Sequence, residues 1–326
     1  MPVLNNELLA VKDLRVSYPT RDGRAAVVDG VSFSLARKEI IGIVGESGSG
    51  KSVTSRAIMG MIKHPGRIER GSIVLEGREL TELTDKEYVS VRGKDIAMIF
   101  QEPMTALNPV YTIGDQMAEC IQTHLKYNKK QALEYAAQML DKVGISMPKE
   151  RLKQYPHELS GGMRQRVMIA ICLSCHPKLL IADEPTTALD VTIQAQILRL
   201  MQDLCRSGDM STIVVTHDMG VVAELCSRVI VMYAGGVVET AGADQIFQEP
   251  LHPYTKALLK AIPKIGNREE RLYSIPGTVP APGKLKEQCR FSNRCEQCTE
   301  RCKMQVPPDV EMGDGRTVTC WLYAGR

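Results

Sequence analysis

Eight consecutive residues, from Gly45 to Ser52, have the residue types and the spacing of a phosphate-binding loop, G-x-x-x-x-G-K-S. Glycines let consecutive backbone N–H groups turn toward an anion, and the start of a helix behind them adds a partial positive charge. The ammonium of Lys51 can reach the β- and γ-phosphates of a nucleoside triphosphate, and the hydroxyl of Ser52 can ligate Mg²⁺. The pattern therefore predicts that the chain binds a nucleoside triphosphate together with its magnesium ion.

This loop lies between two segments that can position it. The apolar run 40–44 has the composition of a buried parallel strand. Residues 53–61 follow the loop and have the pattern of a helix, with Ile58, Met59 and Met61 apolar. Because strand, glycine loop and helix come in the order that the motif requires, a chance glycine-rich turn is the less favoured interpretation.

Polar side chains follow several other strand-like apolar runs. In an open α/β sheet, the carboxyl ends of the strands are where ligands bind. Two adjacent carboxylates are costly without cationic partners, and Mg²⁺ at Asp183 with a water proton at Glu184 would explain both. A surface acidic pair is the alternative, but the apolar run before the pair argues against it. The runs and their polar residues are 179–182 with Asp183 and Glu184, 213–216 with His217, and 95–100 with Gln101.

A second glycine turn, Leu159-Ser160-Gly161-Gly162, opens a predicted helix that runs to about Cys175. Ser160 has the position of an N-cap, and a helix start of this kind binds phosphate as readily as it caps itself. Capping and phosphate binding both remain open from the residues alone.

The remaining pattern divides the chain into a sheet-forming part and a helical insertion. Residues 103–157 begin with proline and glycine punctuation and continue with helical periodicity. We therefore expect a helical insertion between two halves of a sheet domain, followed by a turn-rich appendage with one short helix. The predicted strands also include 9–18, 31–35, 71–77 and a hairpin at 229–239, and the predicted helices include 113–127 and 129–143.

Composition excludes some functions. The net charge of +3 over 326 residues is too small to indicate a nucleic-acid partner, and aromatic residues make up only 5%. The first residues carry charges and lack the apolar core of a signal peptide. No apolar run approaches the 18 or so residues of a membrane span. We therefore expect a cytosolic protein, in which any transport role depends on partners that do span the membrane.

The ten cysteines are distributed unevenly. The first five are scattered, and in a cytosolic chain they are most simply small buried thiols. The last five crowd together near the end of the chain, which favours a metal over disulfides. The scattered set is Cys120, Cys172, Cys175, Cys205 and Cys226, and the crowded set is Cys289, Cys295, Cys298, Cys302 and Cys320.

Taken together, these blocks resemble the ATP-binding cassette of ABC transporters over roughly residues 7–245. The resemblance implies an α/β fold of the P-loop NTPase type, with a RecA-like core, an antiparallel β subdomain and a helical subdomain at about 103–160. No motif departs from the family pattern, so the resemblance also implies an ATPase that converts ATP and water to ADP and phosphate. The matching blocks are the loop 45–52, Gln101, LSGGM at 159–163, LLIADEP at 179–185, ALD at 188–190 and His217.

The same resemblance implies a role for each residue. Glu184 resembles the general base that polarises the attacking water. Gln101 resembles the residue that contacts Mg²⁺ or that water, and His217 resembles the residue that senses the γ-phosphate. Residues 160–162 resemble the loop that clamps ATP bound to an opposite cassette, which implies a head-to-tail dimer. Tyr18 resembles the aromatic residue that stacks on adenine, although a partly buried edge aromatic is the alternative. The implied nucleotide contacts are Tyr18, Gly45, Ser47, Gly48, Ser49, Gly50, Lys51, Ser52, Ser160, Gly161, Gly162 and Asp190, and the implied Mg²⁺ contacts are Ser52, Gln101 and Asp183.

The C-terminal segment resembles a narrower group within the ABC transporter family. Residues 250–255 and 275–280 look like the C-terminal extension of dipeptide, oligopeptide and nickel importer ATPases, so we place that extension at 246–326. On physical grounds alone His252 would be a structural residue. The dipeptide-type ATPases that this tail resembles hold a [4Fe-4S] cluster with four cysteines of the tail. In this chain such a cluster would stabilise a C-terminal segment that has few apolar residues of its own. Thiolates suit zinc as well as iron–sulfur, and unligated thiols are a third interpretation. The implied ligands are Cys289, Cys295, Cys302 and Cys320, with Cys298 as the alternative ligand.

The resemblance as a whole implies the energy-coupling subunit of a bacterial importer of di- or oligopeptides. It would pair with a second, similar ATPase, as a heterodimer, beneath two membrane permease subunits supplied by an extracytoplasmic binding protein. It would be a peripheral protein of the cytoplasmic face of the inner membrane, without a nucleic-acid partner. An importer of nickel or another small solute is the nearest alternative. A soluble ABC ATPase of translation or DNA repair is disfavoured by the single phosphate loop, and a metal-binding redox module by the complete hydrolytic set.

Overall fold

The structure, a computed structural model, describes residues 6–21, 23–101, 106–185, 191–206, 210–262, 273–284 and 287–325. The chain divides into two compact units, and each is described by itself. The first combines Met1–Ala36, Ile40–Glu82 and Val215–Arg326, and the second combines Arg37–Glu39 and Leu83–Val214. Within the described ranges, no helix has both the length and the apolar character needed to cross a bilayer.

A four-stranded antiparallel sheet belongs to the first unit. β1 (Glu7–Thr20) lies between β2 (Gly23–Ala36) and β4 (Arg67–Leu75), and β5 (Arg78–Glu79) pairs with the other edge of β4. The alternating apolar residues of β2 are buried, as their spacing predicts. β4 begins four residues before the predicted start at residue 71, because its pairing with β1 extends beyond the apolar run.

The strand before the phosphate loop is also in the first unit. β3 (Ile40–Val44) is buried along its whole length and pairs in parallel with β9 (Arg228–Tyr233). β10 (Gly236–Gly242) returns antiparallel to β9, which confirms the predicted hairpin. α1 (Lys51–Ile58) follows the loop and begins two residues earlier than predicted, so strand, loop and helix stand in the predicted order.

The C-terminal part of the first unit adds strands to β10. β12 (Thr317–Thr319) pairs antiparallel with β10, and β11 (Asp309–Glu311) pairs with β12. The sequence does not predict these strands, because each has only three residues and no apolar run. α10 (Pro253–Lys260) is the predicted short helix, and the other helices of this part are α9 (Ala243–Gln248) and α11 (Glu300–Met304).

The second unit combines parallel strands with the predicted helical insertion. β6 (Ile96–Ile99) and β7 (Leu179–Asp183) are buried and parallel, and β8 (Ser211–Thr216) is next to β7 in the sheet order. α3 (Ile113–Leu125) and α4 (Lys129–Lys142) match the predicted helices within two residues. The other helices are α2 (Asp85–Tyr88), α5 (Pro148–Arg151), α6 (Gly161–Ser174) and α7 (Val191–Arg206) in this unit, and α8 (Met219–Leu225) in the first.

Polar caps and an apolar core hold the insertion together. Thr112 caps α3 by accepting the N–H of Asp115, and Asn128 caps α4 by accepting the N–H of Gln131. The apolar faces of α3, α4 and α6 bury Met117, Leu140 and neighbouring residues in one cluster. Of the scattered cysteines, Cys175, Cys205 and Cys226 are buried as predicted, whereas Cys120 and Cys172 are only partly buried.

Candidate functional site

The phosphate loop leaves β3 in a backbone conformation that requires glycine. Gly45 has a φ of 152°, and a Cβ there would lie 2.2 Å from the carbonyl oxygen of Met232. Gly50, with a φ of 101°, lies immediately before α1. The loop is closed by a backbone hydrogen bond of 3.2 Å from Ser49 to the carbonyl of Glu46. The motif glycines therefore form the tight turn that the sequence predicts.

Lys51 extends its ammonium across this turn. Its Nζ donates to the carbonyl oxygens of Gly45 at 2.6 Å and Glu46 at 3.0 Å, and it lies 3.4 Å from Ser49 Oγ. The side chain is largely buried although it is a lysine, which is rare unless the charge is partnered. These contacts hold a positive charge at the loop, where a phosphate-binding site needs it. Ser52 follows Lys51 at the start of α1.

Two residues from the C-terminal part of the same unit form hydrogen bonds with Glu46 of the loop. The hydroxyl of Tyr254 accepts the Glu46 backbone N–H at 2.8 Å. Arg294 donates to both carboxylate oxygens of Glu46, at 2.7 and 3.1 Å. The hydrogen-bonded carboxylate of Glu46 raises the pKa of Arg294 further above its usual value, so the charge of the guanidinium is permanent.

His217 lies at the end of β8, as predicted. Asp218 caps α8 by accepting the N–H groups of Gly220 and Val221, and thereby fixes the turn that carries the imidazole. His217 lines a cavity of about 280 Å³ together with Gly45 and Glu46 of the phosphate loop. The first unit therefore brings the imidazole and the loop to one concave surface.

The second unit brings two predicted catalytic residues into contact. Gln101 Nε2 donates to Glu184 Oε2 at 2.9 Å. Asp183, at the end of β7, is buried. Glu184 has a φ of 50°, which is unusual outside glycine and indicates that the backbone is held there by its surroundings. Gln165 Nε2 donates to the carbonyl of Pro185, and so fixes the chain just after the glutamate.

Ser160 is the N-cap of α6, with its Oγ accepting the N–H of Met163 at 3.3 Å. The capping interpretation is thus confirmed in geometry. A Cβ at Gly161 would meet no atom within 4 Å, so packing within the described chain does not require glycine there. An absent side chain does allow close approach of a ligand to the helix start.

Two predicted nucleotide contacts have different outcomes. Tyr18 is partly buried near the end of β1, with its ring against Gly66, where a Cβ would lie 2.5 Å from a ring carbon. This placement fits an edge aromatic, and adenine stacking stays a prediction. Asp190 lies outside the described residues.

Four of the five crowded cysteines line a cavity of about 140 Å³ that is also lined by His252, Phe291 and Trp321. His252 is buried and its Nδ1 accepts the N–H of Tyr254, so its predicted structural role is that of a helix cap. Among the described residues, no three His, Cys, Asp or Glu side chains converge closely enough to hold a single metal ion. The cysteines that line the cavity are Cys289, Cys295, Cys302 and Cys320.

Burial governs the acidity of these thiols. It raises the pKa of Cys289 and of Cys295 to about 11, because the thiolate loses hydration. Without a bound cation these two thiols are therefore neutral, and a metal would have to displace their protons. Cys298 is not among the described lining residues, and its Sγ lies 3.5 Å from the carbonyl of Thr299.

Sequence reasoning missed the two residues that hold Glu46. Tyr254 belongs to the segment at 250–255 that carries the resemblance, but its position there gives no sign of its partner. Arg294 directly precedes Cys295, and an arginine beside a predicted ligand reads as an ordinary surface charge. Its partner is 248 residues away in the sequence.

A phosphate loop behind a buried strand, with a glutamine and a glutamate paired at strand ends elsewhere in the chain, defines an ATP-binding cassette. The chain belongs to the ABC transporter family and is an ATPase of that family. Residues 28–187 match the family described as ABC transporter, and residues 238–302 match the oligopeptide/dipeptide transporter C-terminal region.

Individual relatives are similar over almost the whole chain. The oligopeptide transport ATP-binding protein AppD of Bacillus subtilis is 51% identical, with 97% of each chain covered. The dipeptide transport ATP-binding protein DppD of Escherichia coli is 48% identical, with 96% of each chain covered.

Solved structures agree with the fold. The dimeric ATP-binding cassette MJ0796, bound to ADP and phosphate after hydrolysis, has a TM-score of 0.66 at 26% identity. The match covers 72% of this chain and 99% of that one. The predicted P-loop NTPase fold is therefore confirmed, whereas the predicted domain boundary at residue 245 stays a prediction.

Proposed function

We propose that this chain is the energy-coupling ATPase of an importer of di- or oligopeptides. The observation that carries the proposal is similarity near 50% identity to ATP-binding proteins of oligopeptide and dipeptide transport, over the cassette and the C-terminal region alike. The C-terminal match favours a peptide cargo over nickel, the alternative from the sequence. The soluble non-transport ATPase receives no support from these relatives.

The proposed chemistry is positioning and charge stabilisation of phosphoryl transfer to water. The N–H groups of the phosphate loop and the Lys51 ammonium would hold the phosphates, and Ser52 and Asp183 would hold Mg²⁺. Glu184 polarises the attacking water, and its hydrogen bond with Gln101 orients the carboxylate. His217 contacts the γ-phosphate, which distinguishes ATP from ADP.

The proposed working form is a head-to-tail pair of cassettes, most simply with a second, similar ATPase. Residues 160–162 of each cassette would close on ATP bound to the other, and the open space at Gly161 supports such an approach. The pair would lie at the cytoplasmic face of the membrane beneath two permease subunits, with a binding protein outside. Near the insertion, the side chains of Val110 and Tyr111 are 71% and 55% exposed, which supports contact with a permease subunit there.

Glu184→Gln tests the assignment of the base. The variant is expected to bind Mg-ATP, to lose hydrolysis by 100-fold or more, roughly the contribution of a general base, and to accumulate a closed dimer in light scattering. Glu134→Gln, at an exposed position of α4, is the matched control and should hydrolyse ATP normally. Wild-type turnover in Glu184→Gln would overturn the assignment.

We also propose that the cysteine cavity holds a [4Fe-4S] cluster with a structural role. Four thiols line one cavity, and four thiolates are the ligand set of such a cluster. When bound, the cluster would supply four iron–thiolate bonds that fix the loops carrying these cysteines. Exclusion of Cys298 from the described lining supports the four-cysteine set.

Anaerobically purified protein provides the test. It should be brown, with iron and sulfide near four per chain, an expectation that follows from the cluster type. Cys295→Ser should lose iron, whereas Cys298→Ser should retain it. Trp321 is the single tryptophan and lines the cavity, so its fluorescence should rise when the cluster is removed. Colourless, zinc-loaded protein, or equal iron loss in both variants, would refute the proposal.

A further inference from the structure

Glu46, an unspecified position of the phosphate-loop motif, is held from three sides. Its carbonyl accepts from the Lys51 ammonium at 3.0 Å, and its N–H donates to the Tyr254 hydroxyl at 2.8 Å. Its carboxylate receives two hydrogen bonds from Arg294. The peptide before Glu46 is therefore oriented by Tyr254 and the Glu46 carboxylate by Arg294, both from the C-terminal extension, whereas the peptide after it is held by Lys51.

The guanidinium of Arg294 is fully used in this arrangement. Its side chain is only 4% exposed. Nε donates to the carbonyl of Pro276 at 2.7 Å, and Nη2 also donates to the carbonyl of Ile275 at 3.1 Å. Nη1 lies 3.3 Å from the hydroxyl of Tyr233. Only a planar fork of five donors can make this set, so lysine is not an equivalent.

The same residues are attached to the cysteine cavity. Arg294 is followed directly by Cys295, which lines the cavity. The ring of Tyr254 lies 5.4 Å from that of Phe291, another lining residue, in an aromatic cluster completed by Tyr233. A change in the shape of the cavity would therefore be transmitted to both residues that hold Glu46.

We propose that Arg294 and Tyr254 are positioning residues for the phosphate loop, and that they couple the order of the cysteine cavity to ATP binding. They hold the Glu46 peptide so that the following N–H groups and Lys51 are arranged for phosphates before ATP arrives. This inference rests on the proposed nucleotide site. It adds a reason for the extension to contact the cassette: nucleotide affinity depends on the folded state of the cysteine region.

Titration of the full-length chain with the fluorescent analogue MANT-ATP tests the positioning role. Arg294→Gln should raise the Kd roughly tenfold or more, since a charge-assisted pair is lost, and Arg294→Lys should recover only part of the affinity. Tyr254→Phe removes a single hydroxyl and preserves the ring packing, so it should weaken binding severalfold in a folded protein. Because Glu46→Gln disrupts the same pair, it should add little to Arg294→Gln.

Lys303→Gln is the matched control, because Lys303 is also a basic residue of the extension, but its ion pair with Glu300 is exposed and does not involve the loop. It should leave nucleotide affinity within about twofold of wild type. Equal weakening by Lys303→Gln and Arg294→Gln would overturn the inference and leave only a general effect of charge in the extension. Wild-type affinity in both Arg294→Gln and Tyr254→Phe would overturn it as well.

Lys51→Ala separates this inference from the proposed nucleotide site. If Lys51→Ala abolishes binding while the Arg294 variants bind normally, the positioning role fails and the site stands. If Lys51→Ala also binds normally, the site itself is wrong and the inference falls with it. Cys295→Ser tests the coupling to the cavity: it should raise the Kd in the same direction as Arg294→Gln, and unchanged affinity would overturn the coupling.

Discussion

Replacement of Arg316 by methionine should destabilise the C-terminal extension through an uncompensated charge. The side chain of Glu239 is 0% exposed and that of Arg316 is 9% exposed. Arg316 Nη2 lies 3.1 Å from Glu239 Oε1. Among the residues that the structure describes, the carboxylate otherwise accepts only the backbone N–H groups of Leu251 and His252, each at 2.9 Å. Methionine fills a similar volume but leaves this carboxylate buried without its cation.

The size of the effect follows from the partners that remain. Removal of one member of a buried ion pair costs about 3–5 kcal/mol. Because two N–H donors still stabilise the carboxylate of Glu239, we expect the lower end, about 3 kcal/mol. With a urea m-value of about 1–3 kcal/mol per molar, the unfolding midpoint of the extension should fall by roughly 1–3 M.

The fluorescence of Trp321 reports on this region specifically, because it is the single tryptophan and its indole N–H donates to the carbonyl of Gln305 at 3.3 Å. Urea titrations would follow Trp321 emission beside far-ultraviolet circular dichroism of the whole chain. Lys303→Met is the control: it also removes one positive charge from the extension, but its ion pair with Glu300 is exposed, so the change should stay below about 0.5 kcal/mol. An unchanged midpoint in Arg316→Met would refute the reasoning.

Three other predictions test separate parts of the molecule. Ser160→Ala should lower the free energy of unfolding by about 0.5–1 kcal/mol, because only a long cap hydrogen bond is lost, and should nearly abolish ATP hydrolysis because Ser160 is also proposed to clamp ATP. Normal turnover would show that Ser160 acts only as a helix cap. Treatment with diamide, which accepts two hydrogens, should form a disulfide between Cys120 and Cys175, because their Sγ atoms are 3.6 Å apart and their hydrogen bond lowers the pKa of Cys175 to about 7. A peptide map without this crosslink would contradict the geometry. A hydrogen bond from Ser17, together with neighbouring arginines, lowers the pKa of Glu69 from 4.5 to about 2, so the contribution of Glu69 to stability is complete above pH 4.5 and is lost as the pH falls toward 2. Glu69→Gln should remove this part of acid unfolding, and an unchanged acid unfolding profile would contradict the prediction.

Local patterns allowed much of the fold and the phosphate loop to be predicted. The loop 45–52 is one continuous motif, and its glycines have the positive φ values that the motif implies. The helices Ile113–Leu125 and Lys129–Lys142 have both apolar periodicity and a capping residue at the expected position. Such features depend on residues within a few positions of one another, so the sequence alone contains them.

Contacts between residues far apart in the sequence could not be predicted from local patterns. The strand Thr317–Thr319 pairs with an edge of β10, and Asp309–Glu311 pairs with that strand in turn. Three residues with a single valine carry no sequence signal of such pairing. Crowding alone does not show which of the five cysteines share a cavity; the family resemblance implied Cys289, Cys295, Cys302 and Cys320, and these four line it. The contact of Arg294 with Glu46 has no local signature at all.

ATP-driven uptake by the reconstituted transporter tests the central claim most directly. The chain, its partner ATPase and both permease subunits would be assembled in vesicles with the binding protein and a labelled dipeptide. The account predicts uptake that requires Mg-ATP, disappears in Lys51→Ala and Glu184→Gln, and persists in the exposed control Glu134→Gln. Uptake that continues unchanged in Lys51→Ala and Glu184→Gln, with the partner ATPase also inactivated, would contradict it.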